Sequence, residues 1–300
     1  MQTPDQIADF ASRLRAHAEA VETRLTVLID GELATSPAHQ LIEAMRYGLL
    51  GPGKRLRPFL VIESAALFGV PAETALDAAA ALECVHAYSL IHDDLPAMDD
   101  DDVRRGRPTV HRAYDEATAI LAGDALLTFA FEILARHADA TIGAELVLEL
   151  ARASGAQGMA GGQMLDLTAE KQPLGPEGIA VMQAMKTGAL IRFACVAGAI
   201  LGGGSAPRRA ALEAYGRALG EAFQIADDLL DAEGDAAVVG KATAKDARAG
   251  KATLVARLGI AGARGALDAK VREAVAALAP FDGRGLVLAE AARFIAERRS

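Results

Sequence analysis

Apolar positions recur at helical spacing from about residue 4 to the end of the chain. Short Gly- and Pro-containing runs interrupt this pattern at 51–54, 69–73, 172–178 and 202–207. The pattern predicts helices over 4–33, 37–50, 55–68, 73–94, 117–137, 141–167, 177–201, 207–232, 249–258, 263–278 and 284–298, with irregular segments at 95–111 and 233–248. Long helices joined by short loops predict an all-α fold, a single-domain helical bundle over residues 1–300.

Composition describes the core and excludes one class of partner. Hydrophobic residues make up 52% of the chain but aromatic residues only 4%, so the core is predicted to consist of Ala, Leu, Val and Ile. The net charge of −9 argues against nucleic acid, which requires a basic face. Cys84 and Cys195 lie in apolar runs without metal-ligand spacing and are predicted to be buried thiols.

The chain shows no apolar signal segment near its N-terminus. Its longest uncharged apolar run, 193–204, is too short and too rich in glycine to span a bilayer. We therefore expect a soluble cytoplasmic protein with no membrane span.

The first of two aspartate clusters lies in "SLIHDDLPAMDDDDVRRGRP", residues 89–108. Asp93, Asp94 and Asp99 are spread over a spacing that does not return to one face of a straight helix. Pro96 would clash with the carbonyl of residue 92, so the helix should end near Asp94 and a short loop can bring Asp99 back beside Asp93. The three aspartates 100–102 are interpreted as solvated charges.

The second cluster, "FQIADDLLDAEGD", contains Asp227, Asp228 and Asp231. Asp227 and Asp231 are four residues apart, so on a helix they share a face and can hold one ion. Crowded carboxylates repel one another and need cations, and oxygen ligands without His or Cys favour Mg²⁺.

Basic residues supply the matching charge. They lie in "GPGKRLRP", "VRRGR", "MKTG" and "GKATAKDARAGK", near the acidic clusters in several cases. A polyanion bound to carboxylates through Mg²⁺, and to Lys and Arg directly, accounts for both signs of charge, and the simplest such ligand is a diphosphate. Taken singly, these residues have plainer interpretations: solvated charges for Lys54 and Arg57, a core histidine for His86, and a helix irregularity at Lys186.

Taken in order, these motifs resemble the trans-isoprenyl diphosphate synthases. "DDLPAMD" and "DDLLD" are similar to the two aspartate-rich motifs of that family, and "GPGKRLRP", "GGQMLDL", "KTGALI" and "FQIADDLLD" follow in the family's order over essentially the whole chain. The resemblance implies a helical bundle with a central active-site cavity. It also implies head-to-tail condensation of isopentenyl diphosphate with an allylic diphosphate.

The resemblance implies a role for each matching residue. Three Mg²⁺ ions, which Mn²⁺ can replace, are bound directly by Asp93, Asp99 and Asp227, with support from Asp94, Asp228 and Asp231. Isopentenyl diphosphate is bound without metal by Lys54, Arg57, His86 and Arg105. The allylic diphosphate is contacted by Arg104, Lys186, Lys241 and Lys251, and the developing cation lies near Thr187 and Gln224. Asp246 matches the family's acidic position between the two lysines, whereas "KATLV" at 251–255 departs from the family's usual Lys-Ser/Thr-Thr-Tyr-Pro.

Product length is assigned to the residues just before the first cluster. Tyr88 lies five residues before Asp93, roughly 7.5 Å along a helix, and Ser89 lies four residues before it, more squarely on the same face. Spacing alone does not select Tyr88. In the family, an aromatic residue here with a small neighbour fits a C15 product, farnesyl diphosphate, made by way of geranyl diphosphate.

Three other functions remain open. A geranylgeranyl diphosphate synthase would share every motif except the product-length residues. A terpene cyclase is disfavoured by the Trp-free composition and by "DDLLD". A non-catalytic partner subunit would usually lack one aspartate cluster, and both are present. The family is usually homodimeric, and we expect a homodimer.

Overall fold

Helices account for almost all of the regular structure in this computed structural model, which describes residues 4–237 and 254–297. Within those residues the exception is one two-stranded antiparallel hairpin. The all-α prediction is therefore confirmed. The helices form two compact units, Met1–Leu150 with Ile200–Gly202 and Ala151–Ala199 with Gly203–Ser300. The single-domain assignment stays a prediction.

The N-terminal unit carries the first aspartate cluster. Its elements are α1 Pro4–Val27 with a π-helical turn Leu28–Glu32, α2 His39–Leu49, α3 Leu56–Ala66, α4 Ala72–Asp93, β1 Val103–Arg104, β2 Arg107–Pro108, α5 Val110–Ala113, α6 Glu116–Ala135 and most of α7 Ala140–Ser154. Helix α4 packs against both α3 and α6. Four consecutive buried alanines, 78–81, allow these close approaches because they add almost no bulk.

The C-terminal unit carries the second cluster. It contains α8 Met159–Ala169, α9 Pro176–Gln183, a π-helical turn Ala184–Gly188, most of α10 Ala189–Leu201, α11 Ala206–Ala237, α12 Leu254–Ala277, a 3₁₀ turn Ala279–Phe281 and α13 Leu286–Glu297. Helix α11 packs along α12 and α13. The buried Tyr215 hydroxyl donates to the carbonyl of Leu288 at 2.7 Å and so fastens α11 to α13.

The predicted boundaries are wrong at several places. The single helix predicted over 141–167 is two helices, because Gly158 begins α8 in a conformation that places a would-be Cβ 2.1 Å from the Ala153 carbonyl oxygen. Helix α11 runs to Ala237, beyond the predicted end at 232. By contrast, the break predicted after residue 258 is confirmed as a kink within α12 at Gly259, where φ is +68° and the backbone is not helical. Residues 249–253 of that prediction lie outside the described residues.

Two helical stretches are long and apolar enough to cross a membrane by length and composition, Glu116–Ala135 and Pro176–Leu201. Of their most apolar windows, 44% and 61% is buried inside the protein. The core helices of soluble proteins pass the same test, so these two stretches are weak evidence for a membrane span.

Candidate active site

The first aspartate cluster is organised by the end of α4. Helix α4 stops at Asp93, and the backbone amide of Asp99 donates to the Asp93 carbonyl at 2.8 Å. The amide of Asp101 donates to the Asp94 carbonyl at 3.2 Å. The predicted helix end and the return of Asp99 to Asp93 are both confirmed.

Asp94 differs from its neighbours because its side chain is buried, whereas Asp99 is exposed. Arg104 donates to Asp94 Oδ1 at 2.7 Å from Nε. Burial raises the pKa of Asp94 above its usual value, and Arg104 partly opposes that rise. The structure thus pairs a predicted metal-supporting carboxylate with a predicted diphosphate contact.

The arginines after the cluster are presented by the hairpin β1–β2. Arg104 pairs with Arg107 across the hairpin, and the turn consists of Arg105 and Gly106, with φ of 51° and 77°. Two residues with positive φ form the turn type that matches the natural twist of a hairpin. Arg105 Nη1 donates to the carbonyl of Pro52, and Arg107 lies over the Tyr47 ring, 4.1 Å from its centroid.

The "GPGK" loop is held by a buried ion pair that the sequence pattern does not predict. Arg55 has a left-handed φ of 48° and donates to Glu83 Oε1 at 2.7 Å, to the Gly51 carbonyl at 2.8 Å and to the Leu49 carbonyl at 3.2 Å. Both side chains are almost fully buried. The available signal was Glu83 itself, one acid inside the apolar run "AALECVHAY" of α4.

The four residues predicted to bind isopentenyl diphosphate lie in or next to this loop and α4: Lys54, Arg57, His86 and Arg105. Arg57 lies within reach of His86, with Nη1 3.4 Å from His86 Nε2. Burial, followed by the charges of Arg57, Arg105, Arg104 and Arg55, lowers the pKa of His86 well below its usual value. A neutral imidazole can accept the Arg57 hydrogen bond at Nε2. Lys54 is exposed beside them.

In the C-terminal unit, Lys186 and Thr187 lie in the π-helical turn that interrupts the α9–α10 stretch. Lys186 Nζ donates to Asp166 of α8 at 2.6 Å. A Cβ on Gly162 would lie 2.2 Å from the Lys186 backbone nitrogen, so α8 can approach the turn only with glycine there. The absence of a side chain at Gly162 therefore allows α8 to pack closely against this turn. π-Helical turns inside α-helices are frequent at functional sites.

Three polar side chains form a chain from this turn to α11. Thr187 Oγ1 donates to Gln224 Oε1 at 3.4 Å, and Gln224 Nε2 donates to Asp228 Oδ1 at 3.3 Å. A Cβ on Gly220 would lie 3.0 Å from the Gly188 Cα, which shows how closely the two helices cross.

Helix α11 is continuous through the second aspartate cluster, so Asp227 and Asp231 share a helix face as predicted. Asp228 is buried, Asp227 is partly buried and Asp231 is exposed. Lys241, Lys251 and Asp246 lie outside the described residues.

The product-length candidates lie on the last turns of α4. Tyr88 is 9% exposed, and burial together with the nearby Asp93 raises its pKa to about 12. Its neighbour Ser89 is partly buried and donates its hydroxyl back to the His86 carbonyl at 2.9 Å. Tyr88 therefore presents an un-ionised ring within the apolar part of the unit.

Within residues 4–237 and 254–297, no three carboxylate, imidazole or thiol groups converge into a preformed metal site. The donor set still fits Mg²⁺, because each cluster offers carboxylate oxygens only. Mg²⁺ typically takes one or two carboxylates from the protein and completes its octahedron with waters and phosphate oxygens.

Each unit also contains a cavity. The cavity in the N-terminal unit, about 60 Å³, is lined by Asp94, Arg104 and Arg105 together with Tyr47 and Thr109. The cavity in the C-terminal unit is far larger, about 960 Å³, and its mostly apolar wall includes Gly188 and Asp228. Three of the predicted catalytic residues, Lys186, Thr187 and Gln224, do not line that larger cavity.

This chain, with its all-α fold, two aspartate clusters and basic loops, is similar to known proteins along most of its length. The family model for polyprenyl synthetase matches residues 38–278. Farnesyl diphosphate synthase of Haemophilus influenzae is 43% identical over 290 residues, covering 94% of this chain and 97% of that protein. Chloroplastic geranylgeranyl pyrophosphate synthase 9 of Arabidopsis thaliana is 42% identical over 300 residues, covering 97% and 82%.

A solved structure of a related synthase has a similar fold. The apo crystal structure of an FPP/GFPP synthase from Zymomonas mobilis superimposes with a TM-score of 0.85 at 45% identity, covering 95% of this chain and 99% of that one. The chain belongs to the polyprenyl synthetase family. The family resemblance drawn from the sequence motifs is therefore confirmed.

Proposed function

We propose that this prenyltransferase condenses isopentenyl diphosphate with dimethylallyl diphosphate, and then with geranyl diphosphate, to make farnesyl diphosphate. The observation that carries the proposal is the likeness, over nearly the whole of both chains, to the farnesyl diphosphate synthase of Haemophilus influenzae. Both aspartate clusters and the basic loops are present, as this chemistry requires.

The allylic diphosphate is assigned to the aspartates together with four basic residues. Asp93, Asp99 and Asp227 would hold Mg²⁺, three ions in all with Mn²⁺ as a substitute, and Asp94, Asp228 and Asp231 would support them. When bound, Mg²⁺ neutralises charge on the departing diphosphate. Direct contacts to that diphosphate are assigned to Arg104, Lys186, Lys241 and Lys251, which would lower the barrier to breaking the allylic C–O bond.

Isopentenyl diphosphate is assigned to a site that uses no metal. Arg57 and Arg105 lie in the described basic cluster around the neutral His86, and Lys54 is exposed beside it. Arginine can bind a phosphate through two parallel hydrogen bonds, whereas the lysine acts as a point charge. The cluster supplies positive charge and hydrogen-bond donors to a diphosphate.

The carbon–carbon bond forms when the double bond of isopentenyl diphosphate attacks the allylic cation. Thr187 and Gln224 are hydrogen-bonded to each other, and their side-chain oxygens are assigned to the surroundings of that cation. A proton is then lost, and we assign it to the released diphosphate because the site residues within 4–237 and 254–297 offer no well-placed side-chain base. Water must be excluded, since it would quench the cation.

Tyr88 is assigned as the wall that stops the chain at C15. The runner-up is a C20 product, which the likeness to the Arabidopsis thaliana geranylgeranyl pyrophosphate synthase supports. Tyr88 favours the C15 product over the C20 product, because a buried aromatic ring just before Asp93 on α4 would shorten the space for the growing hydrocarbon.

We assign the protein to the cytoplasm and to a homodimer. The support for a dimer is the apolar surface of α6, where the side chains of Ile120 and Leu121 are 44% and 55% exposed. Sedimentation equilibrium tests this assignment, and a monomer at all accessible concentrations would contradict it.

The proposed function is tested by release of inorganic diphosphate from purified protein incubated with Mg²⁺, isopentenyl diphosphate and dimethylallyl diphosphate. We expect release only when both substrates and the metal are present. Release from dimethylallyl diphosphate alone would indicate a hydrolase, and release from geranyl diphosphate alone would indicate a cyclase. No release under any condition would support the non-catalytic partner subunit.

A further inference from the structure

The imidazole of His92 lies between the Tyr88 ring and helix α6. The rings of Tyr88 and His92 meet edge to face, with centroids 5.7 Å apart and an interplanar angle of 77°. On its other side, His92 Nε2 donates to the Ile120 carbonyl at 3.0 Å. The Nε2 atom carries a proton in this arrangement because a carbonyl oxygen can only accept.

Gly123 provides the space for this imidazole. A Cβ built on Gly123 would lie 2.1 Å from His92 Nε2 and within 2.8 Å of two further ring atoms. No other residue type leaves room for the ring in its present position. Glycine inside a helix is otherwise unfavourable, so a close contact is the physical reason to find one here.

We infer that His92, seated on Gly123 and bonded to the Ile120 carbonyl, is a positioning residue that fixes product length by holding the Tyr88 ring in place. This inference rests on the proposed function, in which Tyr88 ends the growth of the hydrocarbon. An aromatic wall limits length only if its ring stays in one rotamer while the product presses on it. The edge-to-face contact opposes rotation of the ring, and the bond to α6 keeps the imidazole from moving away with it.

The two contacts of His92 that define its place run to Tyr88 and to helix α6. Its Nε2–H is bonded to a backbone carbonyl of α6, and its ring meets the Tyr88 ring in a T-shaped contact. His92 therefore acts on product length through Tyr88, without contact to the reacting atoms.

The test is the ratio of C20 to C15 product made by Gly123→Ala, a change on α6 that leaves α4 untouched. We expect the ratio to rise on the order of tenfold, and by less than in Tyr88→Ala, because the wall is loosened and not removed. Gly265→Ala is the matched control, since its added Cβ meets nothing within 4 Å on an exposed part of α12. Its product ratio should match the wild type.

His92→Ala keeps the inference testable if Gly123→Ala does not fold, and it should also raise the ratio. The Tyr88→Ala background then gives the discriminating measurement. If His92 acts through Tyr88, a double variant that combines Tyr88→Ala with Gly123→Ala or with His92→Ala should have the same C20 to C15 ratio as Tyr88→Ala alone. Lower total turnover at an unchanged ratio, or a further rise in the Tyr88→Ala background, would overturn the inference.

Failure of the proposed function would look different. In that case the wild type makes no C15 product, or Tyr88→Ala leaves the product unchanged. The role of His92 alone would be contradicted by another outcome. In that outcome the wild type makes C15 product, the product lengthens in Tyr88→Ala, and it stays the same in Gly123→Ala and His92→Ala.

Discussion

The backbone amide of Asp99 donates to the carbonyl of Asp93 across 2.8 Å. This bond helps to close the loop that contains Pro96, and it brings together the backbones of two residues whose spacing would separate them on a straight helix. The amide of Asp101 makes the parallel bond to the Asp94 carbonyl. A sequence that would be a solvated acidic run on a continuous helix thus becomes a local group of carboxylates at a helix end.

Asp93→Asn should abolish most of the activity while leaving the fold intact. It removes a negative oxygen that Mg²⁺ needs, and we expect kcat to fall on the order of 100-fold or more. Asp100→Asn is the matched control in the same acidic run. Asp100 is exposed and has a φ of 52°, a conformation that Asn tolerates well. Steady-state kinetics with equal losses in both variants would contradict the assignment.

Tyr88→Ala should lengthen the main product from C15 to C20, because the ring that closes the space is gone. Tyr88→Phe keeps the ring and should keep the C15 product, since the hydroxyl does not form the wall. Chromatography of the dephosphorylated products distinguishes the two. An unchanged profile in Tyr88→Ala refutes Tyr88 as the wall.

Glu83→Gln should lower the free energy of unfolding by about 3 kcal/mol, because it removes the buried carboxylate beside Arg55 and leaves only the half-exposed Glu22 at 3.3 Å. The loop that Arg55 holds should shift as well, raising KM for isopentenyl diphosphate more than KM for the allylic substrate. Glu213→Gln breaks the more exposed pair with Arg192 and should change stability by less than about 1 kcal/mol. Urea unfolding of both variants makes the comparison, and equal losses would show that burial of the Arg55 pair does not matter.

His86 should make stability depend on pH on the acid side. Its pKa in the folded protein is lowered, so the unfolded chain takes up a proton first as the pH falls. Its contribution is therefore complete above about pH 6.5 and declines below that value, by at most about 1.4 kcal/mol per pH unit. His86→Asn should remove this part of the decline between pH 7.5 and 5.5. If the free energy of unfolding fell by the same amount between pH 7.5 and 5.5 in the wild type and in His86→Asn, the lowered pKa would be contradicted.

The sequence predicted what depends on local rules. Proline at 96 ends a helix wherever it occurs, and Asp227 and Asp231 share a face of any helix that contains them. The all-α class followed from apolar periodicity. The family followed from motif order, which no single residue could have indicated.

The sequence could not predict what depends on contacts between distant segments. The pairing of Arg55 with Glu83, and of Lys186 with Asp166, requires knowing which helices are neighbours. The division of 141–167 into two helices depends on the close approach at Gly158, where the sequence shows only small residues. The site roles assigned to Lys241 and Lys251 rest on the family resemblance alone.

The most direct test of the account is the chain length of the product that wild-type protein makes from Mg²⁺, labelled isopentenyl diphosphate and dimethylallyl diphosphate. The account predicts a dominant C15 alcohol after dephosphorylation, with geranyl intermediates that disappear as the reaction proceeds. A dominant C20 alcohol would keep the condensation chemistry and contradict the wall at Tyr88.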